Sequence, residues 1–199
     1  WDALAVMPDV RVVNSDLRPG IADILDLTIV VPCLNEENNI AATLDTIAAA
    51  MSELEYSYEI LVVDDGCTDR TAAIVRDYAR THSKLPLHLR QNPGNRGLTR
   101  SYVDASFLGR GKYYRLVCGD NAEPKESLLA IFSRLGEADI VIPYQEVTGK
   151  SAFRRALSQV YTALVNRLSG YRMRYYNGCA LHLRYQRDGG PAPQGRREI

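Results

Sequence analysis

Four short apolar runs constrain this chain most: LTIVVP (27–32), YEILVVDD (58–65), YYRLVCGD (113–120) and ADIVIPY (138–144). Each is rich in Val, Ile or Leu, and none alternates cleanly with polar residues. A strand covered on both faces of a parallel sheet reads this way, because neither side meets water. LPLHLRQN (85–92) alternates and is a fifth, weaker strand. Helical patterns lie between the runs. Ile40, Leu44, Ile47, Ala48 and Met51 share one face of a helix. Thr68 is expected to cap a second helix that turns Ile74, Val75, Tyr78 and Ala79 to the core. Residues 98–108 predict a third helix, and Leu128, Ile131, Phe132 and Leu135 a fourth. Strands alternating with helices imply right-handed crossovers and an α/β, doubly wound, mostly parallel sheet.

After Gly149 the pattern changes. Phe153, Leu157, Val160, Tyr161, Leu164 and Leu168 form one stripe of a long amphipathic helix, and YRMRYYNG (171–178) reads as a strand with one wet face. The expected organisation is an N-terminal extension (1–26), one α/β domain (27–183) and a disordered Gly/Pro/Arg-rich tail (184–199). No apolar run approaches the roughly 20 residues that span a bilayer, and the N-terminus has no signal-peptide pattern. The expected location is cytoplasmic, or peripheral to the inner face of a membrane.

The formal net charge of zero hides a split. Residues 1–149 carry 22 acidic and 14 basic residues, and residues 150–199 carry 2 acidic and 10 basic. The basic C-terminal part either packs on the acidic part or meets an anion: a phosphate, a nucleic acid or a membrane surface. Cys33, Cys67, Cys118 and Cys179 are far apart in sequence and show no C-x-x-C spacing, which argues against a disulfide framework.

In open α/β sheets, ligands bind beyond the carboxyl ends of the strands. Those ends carry PCLNEEN (32–38), DDGCTD (64–69), NPGNRG (92–97) and CGDN (118–121), and three of the four contain carboxylates. Gathered on one rim, these charges repel unless cations or hydrogen-bond donors offset them. A divalent metal with a phosphorylated ligand does so. Cys33, Cys67 and Cys118 follow strands at the same edge. They are expected to be reduced apolar fillers beside the pocket, with a thiolate zinc site as the alternative.

TIVVPCLNEENNI, EILVVDDGCTDRT some 30 residues later, N-x-G-N-x-G and the acidic turn after a strand together resemble a family 2 glycosyltransferase with the GT-A fold. The dolichol-phosphate mannose synthase-like enzymes are the suggested relatives, and the likeness covers residues 27–183. The resemblance implies a UDP- or GDP-linked sugar donor, Mg²⁺ or Mn²⁺, and sugar transfer with inversion. It implies no nucleic-acid partner. Pro32, Leu34 and Glu36 would line the nucleotide pocket, and Asp64 with Asp65 would contact the base or ribose. Gly94, Asn95 and Gly97 would form the turn that admits the donor, with Gly119 beside it. Asp120 falls on the second carboxylate of the family's Asp-x-Asp, which holds the metal. On residue chemistry alone, Gly119-Asp120-Asn121 reads as an Asx-type turn.

The chain departs from the family pattern in several places. Cys118 replaces the first carboxylate, and Leu34 replaces a pocket aromatic. Pro143-Tyr144 stands where relatives that use polyprenyl phosphate carry Arg-Tyr. Their Arg-x-x-x-Ser survives as Arg154 and Ser158, so Arg154, Arg155 and Ser158 are candidates for an acceptor phosphate, a lipid phosphate at a membrane surface. Asn177 is a candidate turn residue near the sugar. Asp104, Glu123 and Glu146 are base candidates by polarity alone. Two rival readings stand beside transfer. One is a Rossmann-like methyltransferase, although the closely spaced glycines are missing. The other is a non-catalytic relative that binds nucleotide-sugar.

Overall fold

The computed structural model of the protein describes residues 24–143, 152–170 and 179–183. Its elements run β1 (Leu25–Cys33), α1 (Ile40–Met51), β2 (Tyr58–Asp64), α2 (Thr71–Thr81), β3 (Leu87–Gln91), α3 (Leu98–Leu108), β4 (Gly111–Leu116), α4 (Lys125–Phe132), β5 (Ile140–Val141), α5 (Ala152–Ser169) and β6 (Leu181–Leu183). They build one six-stranded sheet in the order β3-β2-β1-β4-β6-β5. The first four strands are mutually parallel, and β6 runs antiparallel between β4 and β5. The expected α/β architecture holds.

The apolar runs are continuous because helices cover both faces of the sheet. Leu27, Ile29 and Val31 point to one side, where Leu44 and Ile47 of α1, Val75 of α2 and Leu128 and Phe132 of α4 complete the larger core. Val30, Leu61, Val63 and Tyr114 point to the other side, against Ala105 of α3. Thr28 and Glu59, both buried, are paired. Thr28 Oγ1 donates to Glu59 Oε1 at 2.8 Å and accepts from the Gly111 amide at 2.8 Å, while Arg110 Nε lies 3.0 Å from Glu59 Oε2.

The structure corrects several details. Thr68 does not cap α2. Its amide and hydroxyl both donate to Asn35 Oδ1, and Asp69 Oδ1 instead accepts from the amide and hydroxyl of Thr71. Among the described residues of the 138–144 run, Ile140–Val141 form the strand. The sequence pattern missed β6, because three residues are too few to show a period. YRMRYYNG (171–178) lies outside the described residues, as do residues 1–23 and 184–199. Leu157, Val160, Tyr161, Leu164 and Leu168 of α5 are 49–78% exposed, so the stripe does not face the core.

Candidate functional site

The parallel register places the loop-bearing ends of β1, β2 and β3 at one level. Cys33 pairs with Asp64, and Asp64 with Gln91. β4 ends beside β1, where the Val117 amide donates to Val30 O at 2.9 Å. The four expected loops therefore share one rim, and their backbones are tied to one another.

The loops after β1 and β2 clasp each other. Asn35, at φ +59°, donates its amide to Cys67 Sγ at 3.2 Å and accepts the Thr68 amide on Oδ1 at 2.8 Å. The Glu36 amide donates to Thr71 Oγ1 at 2.8 Å and the Glu37 amide to Asp69 Oδ2 at 3.0 Å. Glu37 Oε2 in turn accepts the amide and Nε of Arg70, each at 3.1 Å.

Asp64 and Asp65, expected together at the base or ribose, point to different work. Asp64 is 2% exposed and accepts the Cys67 amide at 2.7 Å on Oδ1 and Gln91 Nε2 at 2.8 Å on Oδ2. Asp65 is 4% exposed and organises the loop after β3. Its Oδ1 accepts from Asn92 Nδ2 (2.7 Å), the Arg96 amide (3.0 Å) and Ser101 Oγ (2.9 Å), and its Oδ2 from the Gly97 amide (2.8 Å). Burial disfavours the charge on Asp65, but these donors outweigh it and hold the carboxyl below its ordinary pKa. The expected turn through Gly94, Asn95 and Gly97 is thus moulded on Asp65. It also seats Gly66, at φ +80°, where an added Cβ would meet Gly94 C at 2.5 Å and Asn95 N at 2.6 Å. Only glycine tolerates that backbone and that approach.

The fourth loop packs on the first. Gly119 is buried so closely that an added Cβ would come within 2.7 Å of Cys33 Sγ, 3.2 Å of Pro32 O and 3.5 Å of Glu36 Cγ. Thr43 of α1, which the sequence did not single out, fixes this position by donating to Gly119 O at 2.9 Å. Asp120 follows, exposed at the rim. Its Oδ1 accepts the Ala122 amide at 3.1 Å, which is the Asx turn. No hydrogen bond to its Oδ2 is found among the described residues, so the turn leaves one carboxylate oxygen uncommitted. Glu36 and the exposed Leu34 border the same edge, with Pro32 buried beneath.

Two base candidates are already neutralised. Asp104 meets Arg96 at 2.8 Å, Arg100 at 2.9 Å and Arg90 at 3.7 Å. Glu123 meets the fully buried Arg115 at 2.7 Å and lines a cavity of about 310 Å³ with Ser127, Ile131 and Val141. Arg115 Nη1 and Glu123 Oε2 have no partner among the described residues. Glu146 and Asn177 lie outside the described residues. Arg154, Arg155 and Ser158 lie on α5, but the side chains of the two arginines are outside the description.

The cysteines divide into two pairs. Cys67 Sγ sits 3.5 Å from Cys33 O, and burial pushes Cys33 well above an ordinary thiol and Cys67 to about 11. Cys118 interacts with Cys179, just ahead of β6, and that interaction pushes Cys118 up and draws Cys179 down to about 7. Among the described residues, no three His, Cys, Asp or Glu side chains are placed to hold an ion by themselves. A single hard carboxylate oxygen on Asp120 fits Mg²⁺ or Mn²⁺ completed by diphosphate oxygens and water.

Residues 28–186 match the family described as glycosyl transferase family 2. Two similar curated proteins are a dodecaprenyl-phosphate galacturonate synthase of Rhizobium johnstonii and an undecaprenyl-phosphate 4-deoxy-4-formamido-L-arabinose transferase of Edwardsiella ictaluri. Each is 28% identical, over 80% and 78% of this chain respectively, and the chain spans 47% of each. Among solved structures, a mannosyltransferase of Pyrobaculum calidifontis in complex with GDP-Man and Mn²⁺ is 27% identical, with a TM-score of 0.53. The match covers 66% of this chain and 39% of that one. Glucosyl-3-phosphoglycerate synthase of Mycobacterium tuberculosis shares the fold at 16% identity, with a TM-score of 0.56 over 80% of this chain and 57% of that one.

Proposed function

The chain belongs to glycosyl transferase family 2 and has the GT-A fold, and on that premise we propose that it transfers a sugar from a UDP- or GDP-linked donor to a polyprenyl phosphate, inverting the anomeric centre. The observation that carries this reading is the packing of Gly119 against Cys33, Pro32 and Glu36, which presents Asp120 and Glu36 on one rim with the interlocked β1 and β2 loops.

Pro32, Leu34 and Glu36 border the nucleotide. Asp64 supports it through the position of the Cys67 amide, and Asp65 holds the Gly94–Gly97 backbone where the donor arrives. Asp120 would hold Mg²⁺ or Mn²⁺ with the diphosphate. The ion supplies positive charge against that of the departing nucleoside diphosphate.

Two features favour a phosphate acceptor. The described base candidates, Asp104 and Glu123, are each engaged in ion pairs with arginine. An anionic phosphate needs no strong base, whereas a hydroxyl does. The apolar stripe of α5 is exposed, and the sequence from residue 150 onward is basic, as suits a peripheral helix on an anionic lipid surface. No helix among the described residues is long and apolar enough to cross a membrane. The two curated relatives are named for dodecaprenyl phosphate and undecaprenyl phosphate, which supports the same acceptor class.

The test is incubation of the chain with Mn²⁺, UDP- and GDP-sugars and short polyprenyl phosphates, followed by chromatography of the lipid fraction. A lipid-linked sugar is expected. Nucleotide binding without transfer to any acceptor would favour the non-catalytic reading, which the Cys118 substitution makes the second choice.

A further inference from the structure

We propose that Arg115 is a positioning residue for the Asp120 turn: acting through Glu123, it fixes the direction in which Asp120 presents its carboxylate. Arg115 stands on β4 and is fully buried. Its guanidinium is held from three sides. Nη2 donates to Glu123 Oε1 at 2.7 Å, and Nε donates to Cys179 O at 3.3 Å, just ahead of β6. The central carbon of the fork lies 5.5 Å from the ring centroid of Phe132 on α4. A group tied to its own strand, to the approach to β6 and to a helix moves only if all three yield.

The turn is strung between that fixed point and α1. On the α1 side, Thr43 Oγ1 donates to Gly119 O at 2.9 Å, and Thr46 Oγ1 lies 3.0 Å from Asn121 Oδ1. Asn121 takes φ +54°, a left-handed conformation that persists where the surroundings impose it. On the sheet side, Glu123 is tied to Arg115. Asp120 is exposed between these anchors.

Stability alone does not account for the ion pair. Well-packed apolar side chains of similar volume often serve a buried site as well or better, because desolvation offsets the attraction between the charges. This pair is also joined by one bond where guanidinium and carboxylate can make two. Arg115 Nη1 and Glu123 Oε2 are buried without a hydrogen bond among the described residues, which costs stability. What the pair supplies, and an apolar contact lacks, is a bond of set length and direction. A lone carboxylate meeting a cation depends on such support, since a site loose by about 1 Å loses its function. The effect on metal and nucleotide, though not the effect on the turn, rests on the glycosyl-transfer reading.

Removing either partner alone leaves a buried charge and endangers folding. The experiment therefore compares the full chain with a double variant, Arg115→Met with Glu123→Leu, and with Glu123→Gln. Each is measured by urea denaturation, by amide exchange of residues 120–122 followed by mass spectrometry, and by calorimetry with Mn²⁺ and UDP or GDP. The double variant is expected to keep the parent's urea midpoint while those amides exchange about tenfold faster. Its affinity for Mn²⁺ with nucleotide should fall about 10–100-fold, as when a group supporting a metal ligand is lost. Glu123→Gln keeps an oxygen for Arg115 Nη2 but not the counter-charge. It should lower the urea midpoint yet exchange more slowly at the turn than the double variant. A double variant that exchanges like the parent overturns the proposal. So does a series in which exchange and affinity simply follow the urea midpoint, the mark of a structural pair. Faster exchange with unchanged affinity overturns the effect on the metal. If the parent binds neither nucleotide, the transfer reading fails, and the exchange rates alone still decide whether Arg115 holds the turn.

Discussion

Gly119 and Cys33 touch so closely that a methyl group on the first would lie 2.7 Å from the sulfur of the second. This contact joins the acidic turn after β4 to the end of β1. Gly119→Ala is expected to cost about 1–3 kcal/mol, the usual penalty for overpacking a filled site. It should also weaken nucleotide binding with Mn²⁺. Cys33→Ala in the same chain removes the obstructing sulfur, so the double variant should recover part of the loss. Urea denaturation of the four proteins in the cycle measures the coupling.

Asp120 combines two roles that one substitution separates. Asp120→Asn keeps an oxygen for the Ala122 amide but loses the charge, whereas Asp120→Ala loses both. Stability of the Asn variant should stay within about 0.5 kcal/mol of the parent. Sugar transfer and Mn²⁺ binding should fall about 100-fold or more in both variants. If the Asn variant transfers sugar normally, the carboxylate serves only the turn.

Asp65 gives a pH signature. Its folded pKa is depressed, so its contribution to stability is complete above the unfolded value of about 4 and is lost as pH falls through the lower folded value. Asp65→Asn has no charge to titrate, and its amide group confronts the donors around it. The variant should be less stable by about 2 kcal/mol at neutral pH, and the gap to the parent should narrow on acidification below about pH 4. Thermal melts across the acid range report this. A gap that stays constant would remove the carboxylate's charge from the explanation.

The stripe on α5 predicts surface binding. Leu164 is 54% exposed, so Leu164→Asp should leave folding stability nearly unchanged. Its transfer into an interface contributes about 1.5–3 kcal/mol, so affinity for vesicles containing anionic lipid should fall about tenfold or more. Co-sedimentation with vesicles of defined composition measures it.

Much of this was legible in the sequence, for identifiable reasons. α1, α2 and the buried strands follow from apolar spacing, because burial on a sheet face imposes a period on the residues themselves. α3 fell on residues 98–108 as expected. The rim followed from strand polarity, and Asp120 from its place after the fourth strand. The internal roles of Asp64 and Asp65 did not follow. Their partners lie up to 36 residues away, and a carboxylate looks the same in a sequence whether it faces a ligand or a buried amide. Thr68 suited a cap by type but was drawn to Asn35 across the loop. β6 was too short to leave a pattern.

The bonds that Thr68 donates to Asn35, and Arg70 to Glu37, make the loops after β1 and β2 a single structural part. Grafting one of them from a related protein would strand amides whose acceptors belong to the other. An engineer who wants a different sugar nucleotide should transplant both segments together, leaving the strands beneath as a fixed chassis.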